Sequence, residues 1–105
     1  MTEKLLVLTT AGSHVEAEKI ARGLLERRLA ACVNVIPQVH SLYWWKGKVE
    51  TSEEHLLLIK TVKSHEAAVR DTIRELHSYQ LPECIAVDIG SGSAEYLKWI
   101  EDCVA

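Results

Sequence analysis

Several features that would define a class of protein are missing from this 105-residue sequence. Basic residues are not in excess, since 12 Lys and Arg stand against 15 Asp and Glu, for a net charge of −3. Nucleic-acid binding needs a basic face, so we expect no nucleic-acid partner. No apolar run approaches the roughly 20 residues of a membrane span, and the N-terminus lacks a signal-peptide pattern. We therefore expect a cytoplasmic protein without a membrane partner.

Cysteine is also sparse, and its spacing excludes two further classes. The three cysteines, Cys32, Cys84 and Cys103, include no CxxC pair. A scattered, odd-numbered set makes neither a disulfide framework nor a structural zinc site. Each thiol taken alone is interpreted as a reduced, buried small hydrophobe.

What the chain does contain is a regular alternation of two apolar periods, without a linker or a low-complexity tract. Its length predicts one domain, residues 1–105, with a thin core that would gain from self-association. Strand-type runs and helical stripes follow in the order β-α-β-β-α-β, with one more helix at the C-terminus. Two split βαβ units predict an α+β, ferredoxin-like sandwich, whose antiparallel sheet has the order 4-1-3-2 and carries both main helices on one face.

Cap and turn residues set the boundaries of these elements. Ser13, with Glu16 three residues later, predicts a capping box at the first helix, and Ser64 predicts the cap of the second. Pro37 is expected to stop the second strand, after which the chain is extended again and forms a long hairpin with the third. The other boundaries are strands over Lys4–Thr10, Ala31–Ile36, Val49–Val62 and Cys84–Ile89, and a final helix capped by Ser93.

Five short motifs lie in order along nearly the whole chain. They are LAACVNVIP (29–37), SLYWWKGK (41–48), EHLLLIKT (54–61), HSYQLPE (77–83) and YLKWI (96–100). This series resembles the CutA divalent-cation tolerance family. The resemblance implies a cytoplasmic homotrimer, tolerance toward copper and other divalent ions, and an architecture similar to the PII signalling proteins. Three positions depart from the family pattern: Ser78 replaces a common proline, Thr9 a cysteine of some members, and Leu76 a second histidine of some members.

The aromatic residues Tyr43, Trp44 and Trp45 lie near the tip of a hairpin too long for one small sheet to cover. Exposed apolar patches of this kind usually mark an interface, and aromatic residues are favoured anchors there. We predict that the three residues form the trimer interface. The alternative is that they fold back over the subunit's own helices.

Candidate metal ligands occur in two places. His77 and Glu83 pair an imidazole with a carboxylate, a combination that suits Cu(II) or Zn(II), although His77 at a helix C-terminus also fits a dipole-compensating role. Cys32 and Cys84 lie on opposite sheet edges, so they meet only if edges of different subunits pair, as soft ligands for Cu(I). The alternative for both thiols is an inert, buried role.

Lys60, Thr61 and Tyr79 are candidate residues of a cleft between subunits, although Lys60 and Thr61 also fit an ordinary strand end. The best candidate pair of nucleophile and base is Cys84 with His77. The sequence shows no group that would orient the histidine, and Cys84 begins a predicted buried strand, where thiols are inert. We therefore predict no enzyme and no organic cofactor.

The predicted function is that of a homotrimeric cytoplasmic protein of divalent-metal tolerance, which acts by binding Cu(II) or another divalent cation. The alternative is a PII-like signalling or interaction trimer, whose clefts between subunits bind a small molecule or a partner protein.

We expect the thiols to be reduced and dispensable for folding, because their spacing indicates no disulfide. Treatment with a reductant should leave the oligomeric state and the melting temperature unchanged, as measured by gel filtration and calorimetry. A large loss of stability on reduction would contradict this assignment.

Overall fold

A computed structural model describes residues 2–105 as a four-stranded antiparallel sheet with three α-helices. The strand order β2-β3-β1-β4 confirms the predicted α+β, ferredoxin-like fold. No helix within the described residues is long and apolar enough to cross a membrane. The elements are β1 (Lys4–Ala11), α1 (His14–Glu26), β2 (Cys32–Trp45), β3 (Lys48–Val62), a 3-10 helix (Lys63–His65), α2 (Glu66–Leu76), β4 (Ile85–Ile89) and α3 (Ala94–Cys103).

One face of the sheet forms the core with α1 and α2. Alternate side chains of a strand point to the same face, so every second residue is buried here from Leu5 to Ala11 of β1 and from Leu57 to Thr61 of β3. Apolar residues of α1 recur at helical spacing and meet this face, and α2 contributes a shorter stripe. The most deeply buried side chains of this core are Val7, Ile20, Leu24, Leu57, Ile59, Val69 and Ile73.

The opposite face of the sheet is apolar but only partly covered. Leu8 pairs with Leu58 on β3 and with Ile85 on β4, and directly opposed residues place their side chains on the same face. Ile85 and Val87 remain 55% and 52% exposed. We call this surface, made of Leu6, Leu8, Leu56, Leu58, Ile85 and Val87, the open sheet face.

The C-terminal helix α3 covers one end of the open sheet face. Lys60 Nζ lies 3.4 Å from the hydroxyl of Tyr96, and Lys4 Nζ lies 3.7 Å from the carboxylate of Glu101. Ile100 of the same helix is buried. Because α3 has only ten residues, the rest of the open sheet face has no cover within the described chain.

The hairpin of β2 and β3 is long, with strands of 14 and 15 residues. Its turn consists of Lys46 and Gly47 with φ values of 50° and 80°, the positive pair that tight hairpin turns require. The predicted stop at Pro37 is wrong, because β2 continues past it. A register shift between Ile36 and Val39, with Gln38 at φ 60°, accommodates the proline as a bulge.

Helix caps follow the prediction in part. Ser13 Oγ accepts a hydrogen bond from the Glu16 amide at 3.2 Å, which confirms the N-cap of α1. The reciprocal half of the capping box is absent, because the Glu16 carboxylate accepts the amide N–H of Ser78 instead. The predicted Ser64 cap is wrong: Ser64 lies inside the 3-10 helix, and α2 starts after His65 without a side-chain cap.

Candidate functional site

A cleft of about 640 Å³ opens between the hairpin and the loop that follows α2. We call it the acidic cleft, because two carboxylates and no Lys, Arg or His are among its lining residues. Two lining residues lie next to the open sheet face: Thr10 pairs with Leu56 of that face, and Glu83 and Cys84 directly precede its residue Ile85. The cleft therefore lies beside one end of the open sheet face. Its lining residues are Thr10, Ser41, Leu42, Tyr43, Trp44, Trp45, Glu54, Tyr79, Gln80, Leu81 and Glu83.

Glu54 is the most deeply buried charged residue of the cleft, with only 6% of its surface exposed. The hydroxyl of Tyr79 donates a hydrogen bond to its Oε2 at 2.8 Å. Burial and this bond to a carboxylate together raise the pKa of Tyr79, so the phenol keeps its proton as a donor. Among residues 2–105, no group donates a hydrogen bond to the other oxygen, Oε1.

Glu83 is the second carboxylate of the acidic cleft. Partial burial, followed by the negative charge of Glu54, raises its pKa above the ordinary value. Two like charges in a partly desolvated cleft repel each other, and a bound cation would relieve that repulsion. The cleft is therefore electrostatically suited to a positive ligand.

Aromatic residues of the hairpin form another wall of the cleft, and strand alternation places Tyr43 and Trp45, but not Trp44, on the face that carries Glu54. Tyr43, Trp44 and Trp45 all border it, and the Tyr43 hydroxyl accepts a hydrogen bond from Ser52 at 3.4 Å. Lys46 Nζ lies 5.8 Å from the centre of the Trp45 ring, within the range of a cation–π contact. The predicted interface residues thus border a cleft, and their role in a trimer stays a prediction.

The structure engages both ring nitrogens of His77 with groups of the same chain. Nε2 lies 2.6 Å from the carbonyl oxygen of Thr10, to which it can donate a hydrogen bond. Nδ1 lies 3.1 Å from the Tyr79 amide nitrogen and 3.0 Å from Glu16 Oε1. The imidazole is 0% exposed. His77 therefore ties the end of β1 to α1 and to the loop after α2. A metal ion would have to displace one of these contacts.

Glu16 completes the surroundings of His77. Its burial raises the pKa of the carboxyl, but hydrogen bonds from Ser78, together with electrostatic attraction to His77 and Lys19, outweigh this and leave the pKa lowered. The carboxylate is therefore held in its charged form at the end of α2. This arrangement supports the structural alternative for His77 that the sequence left open.

The predicted cysteine ligands lie far apart in the sheet. Cys32 begins β2 at one edge, and Cys84 precedes β4 at the other edge, as the strand order requires. Cys84 packs against the core, and its burial raises the pKa of the thiol, which disfavours the thiolate that binds metals. No group of three or more His, Cys, Asp and Glu residues that could hold a metal ion occurs in the described part of the chain. The predicted ligands therefore do not form a complete site within one subunit.

The three predicted cleft residues separate in the structure. Tyr79 lines the acidic cleft, but Lys60 and Thr61 do not. Thr61 is fully buried and donates a hydrogen bond to the carbonyl oxygen of Leu29. Lys60 contacts Tyr96 of α3 instead, at the covered end of the open sheet face.

Glu54 is the site residue that sequence reasoning missed. It is the first residue of the motif EHLLLIKT, which by itself gives no reason to assign it to a site. The signal was the consecutive pair Glu53 and Glu54 on a strand: alternation places one carboxylate on each face. One of the two must therefore share a face with Leu56 and Leu58.

Comparisons with known proteins identify the family to which this chain belongs. The family model described as "CutA1 divalent ion tolerance protein" matches residues 5–103. This chain belongs to the CutA divalent-cation tolerance family, which confirms the resemblance of its motifs.

Three relatives show the extent of the similarity. A CutA homolog of Xenopus laevis is 50% identical and covers 90% of this chain, which spans 63% of that protein. The divalent-cation tolerance protein CutA of Archaeoglobus fulgidus is 44% identical over 93% of this chain and 95% of its own length. The crystal structure of CutA from Xylella fastidiosa is 43% identical, superposes with a TM-score of 0.95, and covers 98% of this chain and 99% of its own.

Replacing Tyr79 by phenylalanine should lower the free energy of unfolding by about 1–3 kcal/mol, because the buried Glu54 carboxylate loses its donor. Urea denaturation measures the loss. Tyr96→Phe is the matched control: its hydroxyl faces Lys60 at 3.4 Å on the surface, so its effect should stay within about 0.5 kcal/mol. Equal losses in the two variants would contradict a special role of the Tyr79 hydroxyl.

Proposed function

We propose that this CutA family member is a cytoplasmic homotrimer that confers divalent-cation tolerance by binding the cation through the carboxylates of the acidic cleft. The observation that carries the proposal is the pair Glu54 and Glu83 in a cleft with no basic lining residue. Burial and the charge of Glu54 raise the pKa of Glu83, which means that its charged form is destabilised. A bound cation would offset that destabilisation.

Support for self-association comes from the open sheet face. Contiguous apolar surface of this kind on a soluble protein usually marks an interface. The two strands at the sheet edges, β2 and β4, also present unpaired backbone groups that invite pairing with another chain. A closed trimer would cover both features, since each subunit would offer one edge and receive another.

Assembly would also complete a metal site. Two carboxylates supply fewer ligands than a divalent ion requires, so the remaining ligands come from a neighbouring subunit or from water in this proposal. Among first-row divalent ions, Cu(II) binds a given nitrogen and oxygen site most tightly, which makes it the preferred probe. His77 and the two cysteines remain predicted ligands, and the titration described below tests His77.

A second function is favoured by the size of the acidic cleft. A volume of about 640 Å³ lies within the range of small-molecule pockets and far exceeds the space that one ion needs. A PII-like trimer that binds a small molecule at its subunit junctions is therefore the alternative. The two functions differ in the ligand, so separate titrations distinguish them.

The protein should have three times the mass of one chain by light scattering coupled to gel filtration. Val87→Asp should dissociate it, because the aspartate would bury a charge in the trimer. The control Val15→Asp makes the same chemical change at a residue of α1 that is 77% exposed, and it should leave the mass unchanged. A wild-type monomer, or a folded Val87→Asp trimer, would show that the open sheet face is not the interface.

Glu83→Gln should weaken Cu(II) binding at least about tenfold, or roughly 1.4 kcal/mol, in a calorimetric titration. Affinity of the wild type should fall as the pH drops through the raised pKa of Glu83, because a protonated carboxyl no longer attracts the ion. This pH dependence should be weaker in Glu83→Gln, because one of the two carboxylates of the site is gone.

The matched control for this titration is Glu53→Gln, at an exposed carboxylate near His40 rather than in the cleft; it should bind Cu(II) as the wild type does. His77→Ala provides the opposing outcome. If that variant loses affinity while Glu83→Gln keeps it, the metal site belongs to His77 and the carboxylate proposal is wrong.

A further inference from the structure

We propose that the acidic cleft binds a small organic cation, namely a protonated alkyl- or arylamine whose ammonium group meets Glu54 and Glu83 and whose apolar body lies against the aromatic wall. This inference goes beyond the metal-binding proposal and does not depend on it. It gives the small-molecule alternative a definite chemical class of ligand.

The charge distribution of the cleft requires a positive group. Glu54 is almost fully buried, and only one of its two oxygens accepts a hydrogen bond from the described residues. The other oxygen belongs to a residue that lines the cleft, and Glu83 lines the same cleft. An ammonium group carries up to three N–H donors and one positive charge, so it can donate to a carboxylate of this cleft and offset its charge.

The walls of the cleft fit the rest of such a molecule. Tyr43 and Trp45 of the hairpin lie on the strand face that carries Glu54, and they border the same space as Leu81. Pockets for small molecules are typically lined by apolar and aromatic side chains with a few polar groups that fix orientation. A methylene chain or an aromatic ring would bury its surface against this wall, which a hydrated metal ion would leave unused.

A cation already lies near one of these rings within the same chain. The ammonium group of Lys46 is 5.8 Å from the centre of the Trp45 indole. Trp is the best ring for a cation–π contact. Because Lys46 already offsets part of the negative potential at Trp45, the attraction for a further ammonium group comes chiefly from Glu54 and Glu83.

Other occupants fit the cleft less well. An anion would meet two carboxylates and no basic lining residue. A neutral apolar molecule would remove water from Glu54 and Glu83 without pairing their charges, which would lower its affinity. An organic ammonium ion satisfies the charge and covers the apolar wall at once.

The test is a pair of calorimetric titrations on the assembled wild-type protein, with EDTA present to remove metal ions. The probes are 2-phenylethylammonium and 2-phenylethanol, which have similar shapes and differ in charge. We expect the ammonium probe to bind at least tenfold more tightly than the alcohol. Glu83→Gln should lower its affinity at least fivefold, and added salt should weaken binding in the wild type.

Glu53→Gln controls for the general negative charge of the surface and should leave the affinity within twofold of wild type. Equal affinity for the two probes, or an equal loss in Glu53→Gln and Glu83→Gln, would overturn the proposal. The absence of saturable ammonium binding would also overturn it, for example because a basic side chain of a second copy fills the cleft in the assembly. Cu(II) binding without ammonium binding would overturn this inference and leave the metal proposal intact.

Discussion

The arrangement of this protein follows from the area of sheet that its helices can cover. The sheet has four strands, two of which extend into a hairpin of 14 and 15 residues. Helices α1 and α2 are amphipathic and occupy one face, while the ten-residue α3 covers only one end of the other. An apolar sheet face and an aromatic hairpin arm are therefore left without a partner in one chain. The proposals on assembly and on ligand binding both start from this unequal cover.

The acidic cleft arises where the uncovered hairpin meets the loop after α2. Tyr79 fixes that loop by donating its hydroxyl hydrogen to Glu54, and His77 fixes it again through the carbonyl oxygen of Thr10. These contacts hold a carboxylate at a depth where water is scarce. A buried charge is tolerated only when it is paired or hydrogen-bonded, and Glu54 is satisfied at one oxygen within its own chain. The same bond that stabilises the fold thus leaves an acceptor for a ligand.

The chemistry expected of His77 and the cysteines changes once their surroundings are known. An imidazole and a soft thiol are good metal ligands in general, but a ligand needs a free lone pair and access. His77 has both nitrogens engaged and no exposed side-chain surface, and Cys84 packs against the core with a raised thiol pKa. Carboxylates in an open cleft meet both requirements better. The sequence indicated Glu83 as a ligand, and only the structure places Glu54 in the same cleft.

The sequence by itself determined the order of elements, the strand order of the sheet and the family, because apolar periodicity and local motifs are properties of short segments. It also placed the Ser13 cap, whose hydrogen bond spans three residues. It failed at Ser64, which lies inside the 3-10 helix before α2, and at Pro37, where a bulge against β3 overrides local preference. Only the tertiary structure brought Glu54 and Tyr79 together across 25 positions and turned Glu16 toward the end of α2. Such pairs depend on how distant segments pack, and no local pattern specifies them.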